Sequence, residues 1–128
     1  MEIEYTSIGF VENKAEEVPR HWTVSNLEGI LAILPQYQKG LTDLTPGQRI
    51  VVLFHFHLSA PFTEKDLMQA KRKTGQIKGV FSICSPRRPN AIGMSVLEVL
   101  AIDKGRIHAK GLDMLDGTPI LDIKPHIE

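Results

Sequence analysis

The sequence predicts a mainly β protein, a single-domain antiparallel β-barrel over residues 1–128 with one or two short helices. Three observations carry this expectation. Apolar and β-branched residues recur in short runs, several with the period of two that marks a half-buried strand. Clusters of Gly, Pro, Asn and Asp separate those runs at short intervals. Helical stretches are too few to carry crossovers between parallel strands, so the sheet is expected to be antiparallel, and closing it removes its exposed edges.

The elements follow in chain order. Ile3 to Val11 opens with alternating Ile3 and Tyr5 and continues through Ile8 and Phe10, a first strand. His21 to Ser25, after Pro19, is a short second candidate. Leu27 to Leu34 is apolar enough for strand or helix and ends at Pro35; Gln36 to Leu44 reads as a helical turn and loop running to Thr45-Pro46-Gly47. Gln48 to Ser59 is the strongest strand, because Ile50-Val51-Val52-Leu53-Phe54 is β-branched and aromatic on both faces. Thr63 is placed to cap a short helix through Ala70, with Glu64 and Asp66 in its first turn. Lys71 to Gln76 is a polar loop, and Gly79 to Ile83 a short strand leading into the turn-rich stretch Ser85 to Gly93. Met94 to Asp103 and Arg106 to Leu112 form a hairpin about Lys104-Gly105, and Pro119 to Lys124 is the last strand.

Composition bounds the function. With 42% hydrophobic and 23% charged residues the 128-residue chain is ordinary for one folded domain. Fifteen basic residues balance fifteen acidic ones, so any nucleic-acid contact has to be a local patch. Lys65, Lys71, Arg72, Lys73, Lys78, Arg87 and Arg88 supply a candidate. The lone Cys84 excludes an intramolecular disulfide. The acidic start Met1-Glu2-Ile3-Glu4 lacks a signal-peptide pattern, and the apolar runs are too short to span a membrane, so a soluble cytoplasmic protein is expected.

Two stretches are richer in special residues than connecting loops require. The first is Ser85-Pro86-Arg87-Arg88-Pro89-Asn90-Ala91-Ile92-Gly93-Met94-Ser95. Its prolines fix the backbone, Gly93 permits a close approach or a positive φ, and two arginines in a rigid loop suit a carboxylate or phosphate, the bland alternative being a rigid surface turn. The second runs from Gly111 to Pro125 and carries Asp113, Asp116 and Asp122 about the turn Asp116-Gly117. Its turn backbone can serve an adenine edge and its carboxylates a ribose or amine; equally, Asp113 and Asp122 can cap turns or pair with lysines. Neither stretch has a Rossmann or P-loop glycine pattern. His55 and His57 share one side of the long strand, where pocket lining is commoner than a metal site. Trp22 suits stacking on a base or filling the core, and Cys84 reads as a packed small residue.

Together with Leu53-Phe54-His55-Phe56-His57, Gly79-Val80-Phe81 and the opening Ile8-Gly9 and Val18-Pro19-Arg20, these two stretches resemble the signature of TsaA-like proteins, the TrmO family, over nearly the whole chain. The resemblance implies a single-sheet β-barrel, usually a homodimer, that binds S-adenosylmethionine and methylates N6 of threonylcarbamoyladenosine at position 37 of tRNA. By motif match the cofactor would meet His21, Trp22, His57, Leu58, Cys84, Arg88, Asn90, Met94, Asp116, Gly117, Thr118, Pro119 and Ile120. Two positions depart from the family pattern: Cys84 stands where an arginine is usual, and Ala91 where a proline is usual.

The implied chemistry is in-line methyl transfer from an activated sulfonium, for which the protein supplies alignment. The acceptor N–H needs a proton acceptor, for which Asp116 is favoured over Asp113 and the His55/His57 pair because it sits in the signature turn. The runner-up is a protein that binds S-adenosylmethionine as a sensor or module without methylating tRNA. Methylation of another acceptor and metal-dependent hydrolysis at His55 and His57 rank below it.

Overall fold

The computed structural model describes residues 1–128. Eight strands form two antiparallel sheets. Six of them, β1 (Gly9–Glu12), β2 (Glu28–Ile33), β3 (Arg49–His55), β6 (Ile92–Asp103), β7 (Arg106–Lys110) and β8 (Pro119–Pro125), each pair with two neighbours in the order β1-β2-β7-β6-β3-β8. β8 pairs back to β1, so the sheet closes into a barrel. The other two, β4 (Met68–Ala70) and β5 (Ile77–Gly79), make a small separate ladder.

Closure follows from the side-chain pattern. Alternate residues of β3, namely Ile50, Val52 and Phe54, are buried, and they meet Val11, Leu31, Ile33, Leu97, Val99, Ile107 and Ile120 in one core. Leu112 and Met114, beyond β7, plug the same core. A bulge in β6 between Val99 and Ala101 sets the register toward β7. The β6–β7 hairpin turns at Lys104 (φ 50°) and Gly105 (φ 79°), two successive positive-φ residues as a tight two-residue hairpin requires. Gly105 also has no room for a side chain, since Gln38 packs onto it while donating Nε2–H to Ile33 O (2.9 Å).

Several elements differ from the sequence reading, each for a local reason. The first strand is only β1: Ile8 N–H and Val11 N–H reach Ile120 O and Thr118 O, whereas residues before Ile8 find no ladder partner and leave Ile3 and Tyr5 exposed. His21 to Ser25 is a 3-10 turn over Trp22–Val24, because the His21 ring caps the Thr23 N–H and Ser25 N–H closes onto Trp22 O. Leu27 to Leu34 resolves as β2, paired on both edges. The expected helix from Thr63 to Ala70 is a single 3-10 turn, Glu64–Leu67, after which the backbone pairs with β5. Its start is as read: Thr63 N–H donates to Asp66 Oδ2 (2.9 Å). The strand expected over Gly79 to Ile83 ends at Gly79, and Val80–Ser82 turns so that Val80 is buried. The helical content is thus four 3-10 segments, the fourth being Pro35–Leu41, with no α-helix. No helix is long and apolar enough to cross a membrane.

Candidate functional site

At one end of the barrel the chain leaves a cavity of about 640 Å³, within the usual size for a small-molecule site. Its walls come from the Val18–Trp22 segment, the end of β3 and the residues after it (Phe54 to Ser59), the Ile83–Arg88 loop, the start of β6, the segment after β7 (Asp113 to Thr118), and Arg72.

The aromatic floor is a packing consequence of Gly93. Phe54 lies opposite Gly93 in the β3–β6 ladder, and a Cβ on Gly93 would stand 2.3 Å from Phe54 Cζ and 2.8 Å from Phe56 Cζ. With no side chain there, Phe54 and Phe56 meet edge to face, ring centroids 5.1 Å apart. The close approach, and not a positive φ, is therefore what Gly93 provides. Met94, half exposed, and Met114 add polarizable apolar surface.

Trp22 enters from the 3-10 turn. Its ring lies 5.2 Å from that of His21 and beneath the Arg49 guanidinium at 6.0 Å, and its buried Nε1–H has no hydrogen-bond partner. His21 Nδ1 accepts the Thr23 N–H (3.3 Å), which fixes the ring's orientation. Ser25 anchors the turn's far end, donating its hydroxyl to Leu112 O (2.6 Å).

Asp113 is the only carboxylate on the cavity wall. It accepts the hydroxyl of fully buried Ser95 (2.5 Å). Burial pushes its carboxyl above the usual aspartate range, while the Ser95 hydrogen bond, the nearby His21 and the backbone amides of Asp113 and Trp22 oppose that rise. Arg20, Arg72 and Arg88 line the same cavity and none is in an ion pair.

The loop from Ser85 to Gly93 is held by its own arginines. Arg88 donates Nη1–H to Ile83 O (2.8 Å) and Ser85 O (3.2 Å), and still lines the cavity. Arg87 turns away to the Asp66 carboxylate (3.4 Å), and Gln69 Nε2–H reaches Arg87 O (2.8 Å). Phe56 N–H donates to Ala91 O, tying the loop to the end of β3.

Of the residues expected at the cofactor, the cavity brings together His21, Trp22, His57, Leu58, Cys84, Arg88, Met94 and Thr118. Gly117 stands at its margin, its Cβ position 3.9 Å from His57 Nε2. Asn90 and Pro119 border a second depression instead, formed with the N-terminal segment, His55 and His57. Ile120 is in the barrel core. Asp116 is exposed and accepts the Asn13 N–H (3.0 Å), outside the cavity. The turn amides are also spent: Gly117 N–H donates to Val11 O and Thr118 N–H to Leu115 O. Asp122 pairs with Lys124 (2.9 Å). Cys84 is exposed on the cavity wall rather than packed away. No three His, Cys, Asp or Glu side chains converge as metal ligands.

Sequence reading did not single out Phe54, Phe56 or Ser95, and weighed Asp113 only as a lesser proton acceptor. The two phenylalanines, two apart on one strand opposite a glycine, carried a usable signal. Arg20 and Arg72 were read as part of a motif and of a basic patch, and only the fold brings them to this cavity.

The chain matches the family described as tRNA-methyltransferase O N-terminal domain over residues 10–128. A mouse protein named tRNA (adenine(37)-N6)-methyltransferase is 40% identical over 90 residues, which cover 70% of this chain and 21% of that protein. A Methanothermobacter thermautotrophicus protein named probable S-adenosyl-L-methionine-binding protein is 33% identical over 131 residues, covering all of this chain and 93% of that protein. The crystal structure of TrmO from Pseudomonas aeruginosa superposes with a TM-score of 0.77 at 30% identity, over 99% of this chain and 57% of that one. The chain thus spans about a fifth of the mouse relative and little more than half of the superposed structure.

Proposed function

The chain belongs to the tRNA-methyltransferase O N-terminal domain family, and on that premise we propose that it binds S-adenosylmethionine in the cavity at the barrel end and transfers the methyl group to N6 of threonylcarbamoyladenosine at position 37 of tRNA. The observation that carries the reading is the donor set of that one cavity. Trp22, Phe54 and Phe56 offer faces and edges for an adenine, Met94 and Leu58 cover apolar surface, Arg20 and Arg88 suit a carboxylate, and Asp113 suits a cationic group. A zwitterionic nucleoside-amino acid with a sulfonium needs each of these partners, so the residues fit it.

The bound cofactor supplies an already activated methyl group. The protein's part is to hold the acceptor nitrogen in line and exclude water, which Leu58, Met94 and Leu115 at the wall support. The acceptor proton needs a base. Asp113 and His57 line the cavity, whereas Asp116 holds the Asn13 amide. Asp116→Asn, with cofactor affinity and turnover measured separately, tests the signature-turn assignment; its position outside the cavity predicts turnover retained.

Substrate tRNA requires phosphate contacts. Lys71, Arg72 and Lys73 in the β4–β5 loop, with Lys78 on β5, form a basic rim of which Arg72 lines the cavity, and none is in an ion pair. We assign assembly as a homodimer to the outer face of β4–β5: Met68, Ala70 and Ile77 share that face, and Phe81 beside it is 79% exposed. With tRNA as the substrate, we assign the protein to the cytoplasm.

Calorimetric titration with S-adenosylmethionine and S-adenosylhomocysteine, followed by methyl transfer to tRNA carrying threonylcarbamoyladenosine, tests the proposal. Binding of neither ligand ends it. Binding without transfer, and without salt-dependent tRNA affinity, supports the second reading, a binding module. The match over nearly full length to the Methanothermobacter protein named for binding alone favours that alternative.

A further inference from the structure

We propose that Asp113 is the specificity residue that separates the positively charged methyl donor from its uncharged-sulfur product, an inference that rests on the S-adenosylmethionine reading of the cavity. Donor and product share the adenosine and the amino-acid groups. They differ in one charge and one methyl. To favour the donor, the site has to hold a fixed negative charge that does not also serve the shared groups.

Asp113 is the one carboxylate on the cavity wall, and we assign it to the sulfonium rather than to the shared ammonium. The other ionisable groups on its wall are Arg20, His21, His57, Arg72, Cys84 and Arg88, of which the arginines are cationic and the histidines cationic when protonated. The arginines repel a sulfonium, and Asp113 is the one carboxylate on the wall that attracts it. The carboxylate is also fixed. Ser95, fully buried on β6, donates its hydroxyl to Asp113 Oδ1 (2.5 Å). That hydrogen bond from β6 orients the carboxylate before ligand arrives.

Desolvation makes this charge sensitive to what fills the cavity. Burial raises the Asp113 pKa above the ordinary aspartate value. A cation beside it favours the carboxylate and lowers the pKa again, so donor binding releases a proton where product binding does not. Donor affinity therefore rises with pH up through the raised pKa of the free protein and then levels. The diagnostic part is the pH dependence that Asp113→Asn removes.

The experiment is calorimetric titration of wild type, Asp113→Asn and Asp113→Glu with three ligands: the donor, the product, and a donor analogue carrying a protonated amine in place of the sulfonium. Asp113→Asn is expected to weaken the donor and the amine analogue by roughly tenfold or more while leaving the product within about twofold; Asp113→Glu restores part of the difference. Equal weakening of all three ligands would make Asp113 a structural clamp only and overturn the inference. Failure of wild type to bind any of them would instead bring down the cofactor reading itself. Where Asp113→Asn does not fold, wild type decides alone: proton release with the donor and none with the product, measured in buffers of different ionisation enthalpy below the histidine range, supports the inference, and identical release for both overturns it.

Discussion

At the scale of single residues, the site depends on what is absent as much as on what is present. Gly93 has no Cβ, and the Phe54–Phe56 pair occupies that space. Gly93→Ala must move both rings, an overpacking that costs about 1–3 kcal/mol. The predicted result is a lower melting temperature together with weakened S-adenosylmethionine binding, since the displaced rings form the cavity floor; an unchanged titration would show that the rings relax elsewhere. Cys84, the only cysteine, is exposed on the cavity wall. Bound cofactor is predicted to protect it from alkylation, so mass spectrometry should find slower modification at saturating ligand, and an unaltered rate would place the ligand away from this wall. Asp113 links binding to stability. Its folded pKa is raised, so its favourable contribution to folding is complete below the ordinary aspartate pKa and is lost as pH rises through the raised value. Urea midpoints of wild type against Asp113→Asn across mildly acidic pH should diverge in that window only.

Among the elements, the Ser85–Gly93 loop and the β4–β5 ladder act as one unit. Asp66, buried at the start of the 3-10 turn, receives Thr63 N–H and faces Arg87, and Gln69 reaches the Arg87 carbonyl. Asp66→Ala removes the cap and the ion pair together, predicting a loss of about 1–3 kcal/mol. Because Arg88 and Cys84 sit on the same loop, the effect should also appear as weaker cofactor affinity. Thermal melting and calorimetry on one variant measure both, and a stability loss without an affinity loss would separate loop from ladder. The polar loop closing that ladder carries the basic rim. Replacing Lys71, Lys73 and Lys78 with alanine should lower tRNA affinity and reduce the slope of log K against log salt by about one unit per lost phosphate contact, leaving cofactor titration unchanged.

For the molecule as a whole, the closed sheet explains how a chain of 128 residues presents a pocket without an α-helix or a disulfide. Closure pairs both edges of all six barrel strands, so the loops at one end are free to build the site. What the sequence determined by itself was local or periodic. The strands β3 and β8, the Lys104-Gly105 turn and the Thr63 start were all legible, because near neighbours or a single strand's side chains decide them. The tertiary structure decided what competes over distance. Met68–Ala70 left its helix because β5 offered a ladder, and Ile3 to Ser7 stayed unpaired because no strand edge reaches them. Asp116 went to Asn13, more than a hundred residues away in sequence, and left Asp113 as the carboxylate in the cavity. Two aspartates three apart in one turn are equivalent to a sequence, and only the packing around each one distinguishes a buried charge from a solvated hydrogen bond.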